Sequence, residues 1–168
     1  SKTRLSVILG PKERESLVLF MLEDVLKALE SSMVLRVVVI SSDLLIRRLT
    51  NKFGSTYLTE SQRGLNSAIE QATLWCVQNG AKSVLVLPAD IPLMTFEDIN
   101  QMIKQSSEET CIVISSSKDG GTNALLQKPP NLITVCFGPN SFRKHVRRAS
   151  SKGILVKRYL SENVASDV

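Results

Sequence analysis

The chain has 168 residues, 43% of them hydrophobic and 22% charged, which is the size and balance of one folded domain and excludes a disordered tail or a low-complexity polymer. Its 21 basic and 16 acidic side chains leave a net charge of +5, which suits anionic partners such as phosphates but on charge alone is more simply ordinary solubility. Aromatics are only 5% and no basic run is interleaved with them, so a nucleic-acid partner is not expected.

Pro11 followed by Lys12, Glu13 and Arg14 reads as a helix start. Leu17, Val18, Met21, Leu22, Val25, Leu26 and Leu29 continue it at helical spacing. The β-branched run from Leu35 to Ile40 predicts a strand buried on both faces. A short helix is expected over Leu44 to Lys52 and a short strand over Ser55 to Leu58. Gly64 opens a second helix with Leu65, Ala68, Ile69, Ala72 and Trp75 on one face, closed by Asn79 and Gly80. Ser83 to Leu87 is a further buried strand, and Thr95 to Asp98 forms a capping-box start for the helix that follows. Cys111 to Ile114 reads as a strand, and Asp119-Gly120-Gly121 as a turn. Ala124 to Leu126 and Leu132 to Val135 read as strands flanking Pro129 and Pro130. Ser141 to Ser150 is a basic helix and Leu155 to Tyr159 a last strand.

Strands alternating with helices predict an α/β fold, a mostly parallel sheet with helices on both faces, over residues 1–168 as a single domain. Such a sheet normally begins with a strand. The chain instead opens on Ser1-Lys2-Thr3-Arg4 and ends at Asp167-Val168, so a longer polypeptide is expected. No apolar run is long enough to span a membrane and no leader pattern is visible, so no membrane partner is expected. Cys76, Cys111 and Cys136 form no C-x-x-C and His145 is the single histidine, so neither zinc nor disulfides are expected. A cytoplasmic location follows.

Ligands of open α/β sheets sit beyond the carboxyl ends of the strands, which directs attention to the residues after each strand. Asp90 follows the Ser83 to Leu87 strand between Pro88 and Pro92, a preorganised carboxylate of the kind Mg²⁺ takes; a turn aspartate is the competing reading. The loop Ser115 to Asn123 offers glycines, serines, Lys118 and Thr122 for an anion, or is a plain solvent loop. Gly138 to Ser141 precedes the basic helix and offers a helix N-terminus to phosphate, or simply caps it. Gly64 to Asn66 carries the same ambiguity. Lys2, Arg4, Lys12 and Arg14 could grip a triphosphate or flank a solvated helix. His145 is read as a surface or helix-packing residue rather than a general base.

Five segments in order resemble the 2-phospho-L-lactate guanylyltransferase family. They are Lys2 to Ser6, Gly64 to Ile69, Leu87 to Leu93, Asp119 to Leu126 and Phe137 to Phe142. The resemblance implies a Rossmann-like, three-layer nucleotidyltransferase fold, similar to that of molybdenum-cofactor guanylyltransferases. It implies that GTP and 2-phospho-L-lactate are joined with release of pyrophosphate, in biosynthesis of the deazaflavin coenzyme F-420. Asp90 would bind Mg²⁺ with Asp167, the first of the family's C-terminal aspartates, and Lys2 and Arg4 would meet the nucleotide phosphates. Gly64, Leu65 and Asn66 would lie by the guanosine, and Thr122, Gly138 and Ser141 would hold the acceptor. The family's opening strand and second C-terminal aspartate are not matched. A homodimer is left open. Competing expectations are a phosphoenolpyruvate, 3-phosphoglycerate, sugar-phosphate or molybdopterin acceptor, or a non-catalytic nucleotide-binding module.

Overall fold

The computed structural model describes residues 10–166. The first helix, α1 (Pro11–Glu30), begins with proline in its first turn, and the Glu13 carboxylate accepts the Gly10 N–H at 2.7 Å. It buries Met21, Leu22, Val25 and Leu26, the central positions of its apolar stripe. Strand β1 (Val38–Ser41), helix α2 (Leu44–Lys52) and strand β2 (Thr56–Thr59) follow, with β1 and β2 paired in parallel. Asp43 caps α2 by accepting the Leu45 N–H at 2.8 Å.

Helix α3 (Leu65–Gln78), strand β3 (Val84–Val86), helix α4 (Phe96–Gln105), strand β4 (Cys111–Ser116) and strand β5 (Thr122–Lys128) come next. Helix α5 (Ser141–Ser150), strand β6 (Leu155–Arg158) and the short helix α6 (Glu162–Ala165) complete the described chain. The capping box expected at the start of α4 is present, with Thr95 and Asp98 reciprocally bonded. The second sheet has the order β3-β5-β4-β6. Strand β4 is parallel to β6 and antiparallel to β5, which is also antiparallel to β3. Three of its four described strands therefore point one way, and β5 returns between them.

Side-chain alternation along the two central strands builds the three layers. Val113 of β4 and Ala124 and Leu126 of β5 face a core with Val25 of α1, Ile99 and Met102 of α4 and Val164 of α6. Ile112, Ile114 and Leu125 face the opposite core with Ile69 of α3, Ala149 of α5, Ile133 and Val135. This is the α/β arrangement with helices on both faces that the alternation of elements predicts.

The departures are local. Only β4 and β5 are buried along nearly their whole length; β1 and β3, read as buried on both faces, are half-buried throughout. The first of these strands starts at Val38, and Leu35 is almost fully exposed. Leu132 to Val135 is not a strand. Its apolar side chains do enter the core, but side chains rather than a neighbouring strand satisfy its backbone. Gln127 Oε1 accepts the Ile133 N–H at 2.9 Å, while Lys152 donates to the Leu132 carbonyl at 2.9 Å and Arg148 to the Thr134 carbonyl at 2.6 Å. Arg148 of α5 and Lys152 just beyond its end thus spend their donors on carbonyls of the loop before the helix. Helix α6 was not anticipated; at four residues it has no period to read.

Candidate active site

The candidate residues among those described gather about the end of the second sheet where β3, β4 and β6 finish and β5 begins. Asp90 stands in the turn after β3 and is half-buried. The prolines on either side are not its only restraint. Ile91 is completely buried and Met94 nearly so, with the Met94 N–H donating to the Ile91 carbonyl at 3.1 Å, so the turn is pinned into the core beside the carboxylate. Among the described residues no group of three histidine, cysteine, aspartate or glutamate side chains forms a metal cage. Mg²⁺ commonly uses one or two protein carboxylates and otherwise water and phosphate, so a single fixed aspartate at a strand end fits it. Asp167, its expected companion, and Lys2 and Arg4 lie outside the described residues.

Thr122 opens β5 and Ser141 opens α5, and their hydroxyls meet at 3.0 Å. Both side chains are buried. Thr122 Oγ1 also lies 3.0 Å from His145 Nδ1, and the Cys136 N–H donates to His145 Nε2 at 2.9 Å. His145 has no exposed surface, and its pKa is pushed down to about 4 by burial, with Arg148 and Lys144 adding to the effect. Of the two places expected for it, surface and helix packing, it takes the second, with both ring nitrogens engaged.

Gly138 lies on the surface with φ +127°, a conformation that a side chain would strain, and a Cβ there would meet open space. Asn140 occupies the N-cap of α5 in the left-handed region and makes no side-chain cap bond, so the simple capping reading of this segment does not hold. Asn66, in the first turn of α3, holds the same loop from the other side. Its Oδ1 accepts the Phe137 N–H at 2.7 Å and its Nδ2 donates to the Phe137 carbonyl at 3.2 Å. Gly64 is the N-cap of α3 with φ +122°, and Leu65 is 60% exposed beside it. The start of α3, the loop from Cys136 to Asn140, the start of α5 and the start of β5 are therefore one connected unit.

The β4–β5 turn is not the anion nest its glycines suggested. The Gly120 N–H is taken by the Ser117 carbonyl at 3.2 Å, the Gly121 N–H by Asp119 Oδ1 at 3.2 Å and the Lys118 N–H by the Ala165 carbonyl at 3.3 Å. Gly121 is required by close approach: a Cβ would come within 2.7 Å of Ser117 Oγ. An open cleft of about 460 Å³, lined by Ser115, Ser116, Lys118, Tyr159, Ser161 and Glu162, adjoins this turn at the ends of β4 and β6. Tyr159 donates to Asp98 Oδ1 at 2.7 Å. Burial pushes the Asp98 carboxyl up, but hydrogen bonds from Thr95, Tyr159 and Ser161 outweigh it and hold the group below its ordinary value. The sequence reading missed this acid as anything beyond a cap.

A three-layer α/β sheet with polar residues gathered at its strand ends has its candidate site where open α/β sheets bind their ligands. A protein from Desulfovibrio desulfuricans G20 assigned as a nucleotide-diphospho-sugar transferase superposes with a TM-score of 0.79 at 15% identity, over 94% of this chain and 72% of that one. The chain belongs to the guanylyl transferase family described as "Guanylyl transferase CofC like", whose profile matches residues 1–168. It is thus a nucleotidyltransferase by family. The phosphoenolpyruvate guanylyltransferase of Rubrobacter xylanophilus is 36% identical over 169 residues, covering 100% of this chain and 82% of that protein. The 2-phospho-L-lactate guanylyltransferase of Methanothermobacter thermautotrophicus is 37% identical over 169 residues, covering 100% of this chain and 74% of that protein.

Proposed function

We propose that this protein transfers the guanylyl group of GTP to 2-phospho-L-lactate, in the pathway to the deazaflavin coenzyme F-420 and in the cytoplasm, where the free thiols of Cys76, Cys111 and Cys136 persist. The observation that carries the reading is the joined unit around Thr122 and Ser141, hydroxyls 3.0 Å apart beside the exposed Gly138 and a loop clasped by Asn66. It offers a small, stiff, hydroxyl-bearing site for a three-carbon acid bearing phosphate and carboxylate. A phosphate oxygen of the acceptor attacks the α-phosphorus of GTP, the new P–O bond forms, and the bond to the β-phosphate oxygen breaks to release pyrophosphate.

The acceptor phosphate is already ionised at neutral pH, so no general base is needed, in keeping with a site whose one imidazole is buried. Such transfer depends on in-line positioning and charge compensation. In this reading Thr122, Gly138 and Ser141 orient the acceptor, and Asn66 positions the loop that carries Gly138. Gly64 and Leu65 border the guanosine, and Lys2 and Arg4 meet the nucleotide phosphates. Asp90 and Asp167 would hold Mg²⁺, which when bound offsets the charge of the triphosphate.

Phosphoenolpyruvate is the second acceptor to consider, because a relative of 36% identity that this chain matches over its whole length carries that name. Pyrophosphate release should be measured with Mg²⁺ across the four nucleoside triphosphates, each paired with 2-phospho-L-lactate, phosphoenolpyruvate and 3-phosphoglycerate. Release confined to GTP and strongest with 2-phospho-L-lactate is expected. A preference for phosphoenolpyruvate would replace the acceptor, and no release with any pair would defeat the reading.

A further inference from the structure

We propose that His145 is a positioning residue whose fixed tautomer makes the Thr122–Ser141 hydroxyl pair a net hydrogen-bond donor to the anionic acceptor. The inference rests on the acceptor-site reading above and concerns how that site obtains its polarity.

The argument is a count of hydrogens. His145 Nε2 lies 2.9 Å from the Cys136 backbone nitrogen. A backbone N–H can only donate, so Nε2 must present its lone pair. In the neutral ring the proton then resides on Nδ1. Nδ1 is 3.0 Å from Thr122 Oγ1, which is thereby obliged to accept. A second ring proton would set two donors against each other at Nε2, and burial with Arg148 and Lys144 nearby opposes it further. Phe137 packs against the ring in an edge-to-face arrangement with centroids 5.1 Å apart and helps hold its orientation.

Thr122 and Ser141 together carry two hydroxyl hydrogens. Their mutual contact at 3.0 Å uses one. The other cannot be given to Nδ1, which already supplies its own. One O–H is therefore left to donate to whatever lies beside the pair. Thr122 keeps 6% of its surface exposed and Ser141 none, so the outlet is at Thr122. With the opposite tautomer, Thr122 would donate to Nδ1 and Ser141 to Thr122, and no hydrogen would remain. A phosphate or carboxylate oxygen at neutral pH can only accept, so the observed arrangement matches an anion and the reverse does not. The Cys136 N–H, through the imidazole, thus sets the donor sense of a site two side chains away.

The 168 residues hold one histidine, so nitrogen-15 NMR of this chain reports a single imidazole. At neutral pH, Nδ1 is expected to be protonated and Nε2 bare, and saturating 2-phospho-L-lactate or phosphoenolpyruvate should shift the Nδ1 signal. Two variants separate the arms of the ring. His145→Gln keeps an acceptor for the Cys136 N–H but loses the donor to Thr122, and should raise KM for the phospho-acid roughly 10-fold with KM for GTP little changed. His145→Asn restores a donor near Nδ1 and should recover most of that loss. A proton on Nε2, two exchanging tautomers, or equal rises in both Michaelis constants for both variants would overturn the inference. An Nε2 proton seen together with a ligand-induced shift would overturn it and leave the acceptor-site reading standing. An Nδ1 proton with no response to either phospho-acid would bring down that reading and this inference with it. Should the variants fail to fold, the spectrum of the unaltered protein still decides the tautomer.

Discussion

Acidification should destabilise this protein through one residue. His145 is fully buried, and its pKa falls from 6.5 to about 4 in the folded state. Unfolding returns the ring to water and to its ordinary value. Between those two values the unfolded chain binds a proton that the native state refuses. The contribution is therefore fully present above the unfolded value and is lost as pH falls toward the folded one. The whole gap corresponds to about 3 kcal/mol. At about pH 5 the unfolded ring is almost entirely protonated and the native ring about one-tenth so, which makes the loss relative to pH 7.5 about 2 kcal/mol. For a chain of this length that is roughly 4–8 °C in Tm. Asp98 does not confuse the measurement, because its carboxyl is held below 3.8 and its contribution is lost only at lower pH. Urea unfolding at the two pH values, on the unaltered protein and on His145→Gln, makes the test. The decline should be present in the first and largely absent in the second. An unchanged midpoint in the unaltered protein, or the same decline in the variant, would refute the assignment of a buried neutral imidazole.

Three further outcomes follow from particular contacts. Asp90→Asn keeps the size of the side chain but removes the anion; turnover at saturating Mg²⁺ should fall roughly 100-fold or more, with Tm measured alongside to separate lost activity from lost folding, and retention of more than about a third of the rate would count against a metal role. Ser141→Ala removes the hydroxyl that donates to Thr122 and helps direct its outward O–H, and should raise KM for the phospho-acid about 3- to 10-fold while KM for GTP stays nearly unchanged, because the lost contact lies on the acceptor side alone; equal effects on both substrates would contradict the placement. Gly121→Ala drives a Cβ to within 2.7 Å of Ser117 Oγ in a turn that holds the start of β5, and should cost about 1–3 kcal/mol in urea unfolding; a neutral substitution would show that the turn gives way freely.

The layers of this fold were legible because periodicity reports burial. Met21, Leu22, Val25 and Leu26 recur at helical spacing and are the buried face of α1, and the apolar run of β4 is buried on both faces. The same signal misled at Leu132 to Val135. An apolar alternating run says that side chains enter the core, not that a second strand lies alongside. Here Gln127, Arg148 and Lys152 bind the backbone instead, and such distant partners leave no local trace. The glycines of the β4–β5 turn were likewise readable as a need for close approach. What approaches Gly121 is the Ser117 hydroxyl, and Gly120 answers a positive φ of +84°, neither of which the spacing alone distinguishes from an anion.

The same distinction governs the site. The position of Asp90 after a strand could be read from the sequence, because it depends on neighbours within a few residues. The partners of His145 are 9 and 23 residues away, and no spacing rule connects them. A signal was present nonetheless. Ser141, His145 and Ala149 recur every four residues on α5 and are its buried positions, so a histidine sits on a buried stripe between a serine and an alanine, one turn either side. A buried imidazole must satisfy both nitrogens, and the alanine offers no polar atom. The serine could satisfy at most one of them, so the stripe demanded at least one partner from another element. The loop before α5 and the strand end carrying Thr122 are the polar backbone and side chain that the topology brings there. The packing residue and the site residues are then parts of one hydrogen-bonded chain, and burial of the first is what fixes the chemistry of the second.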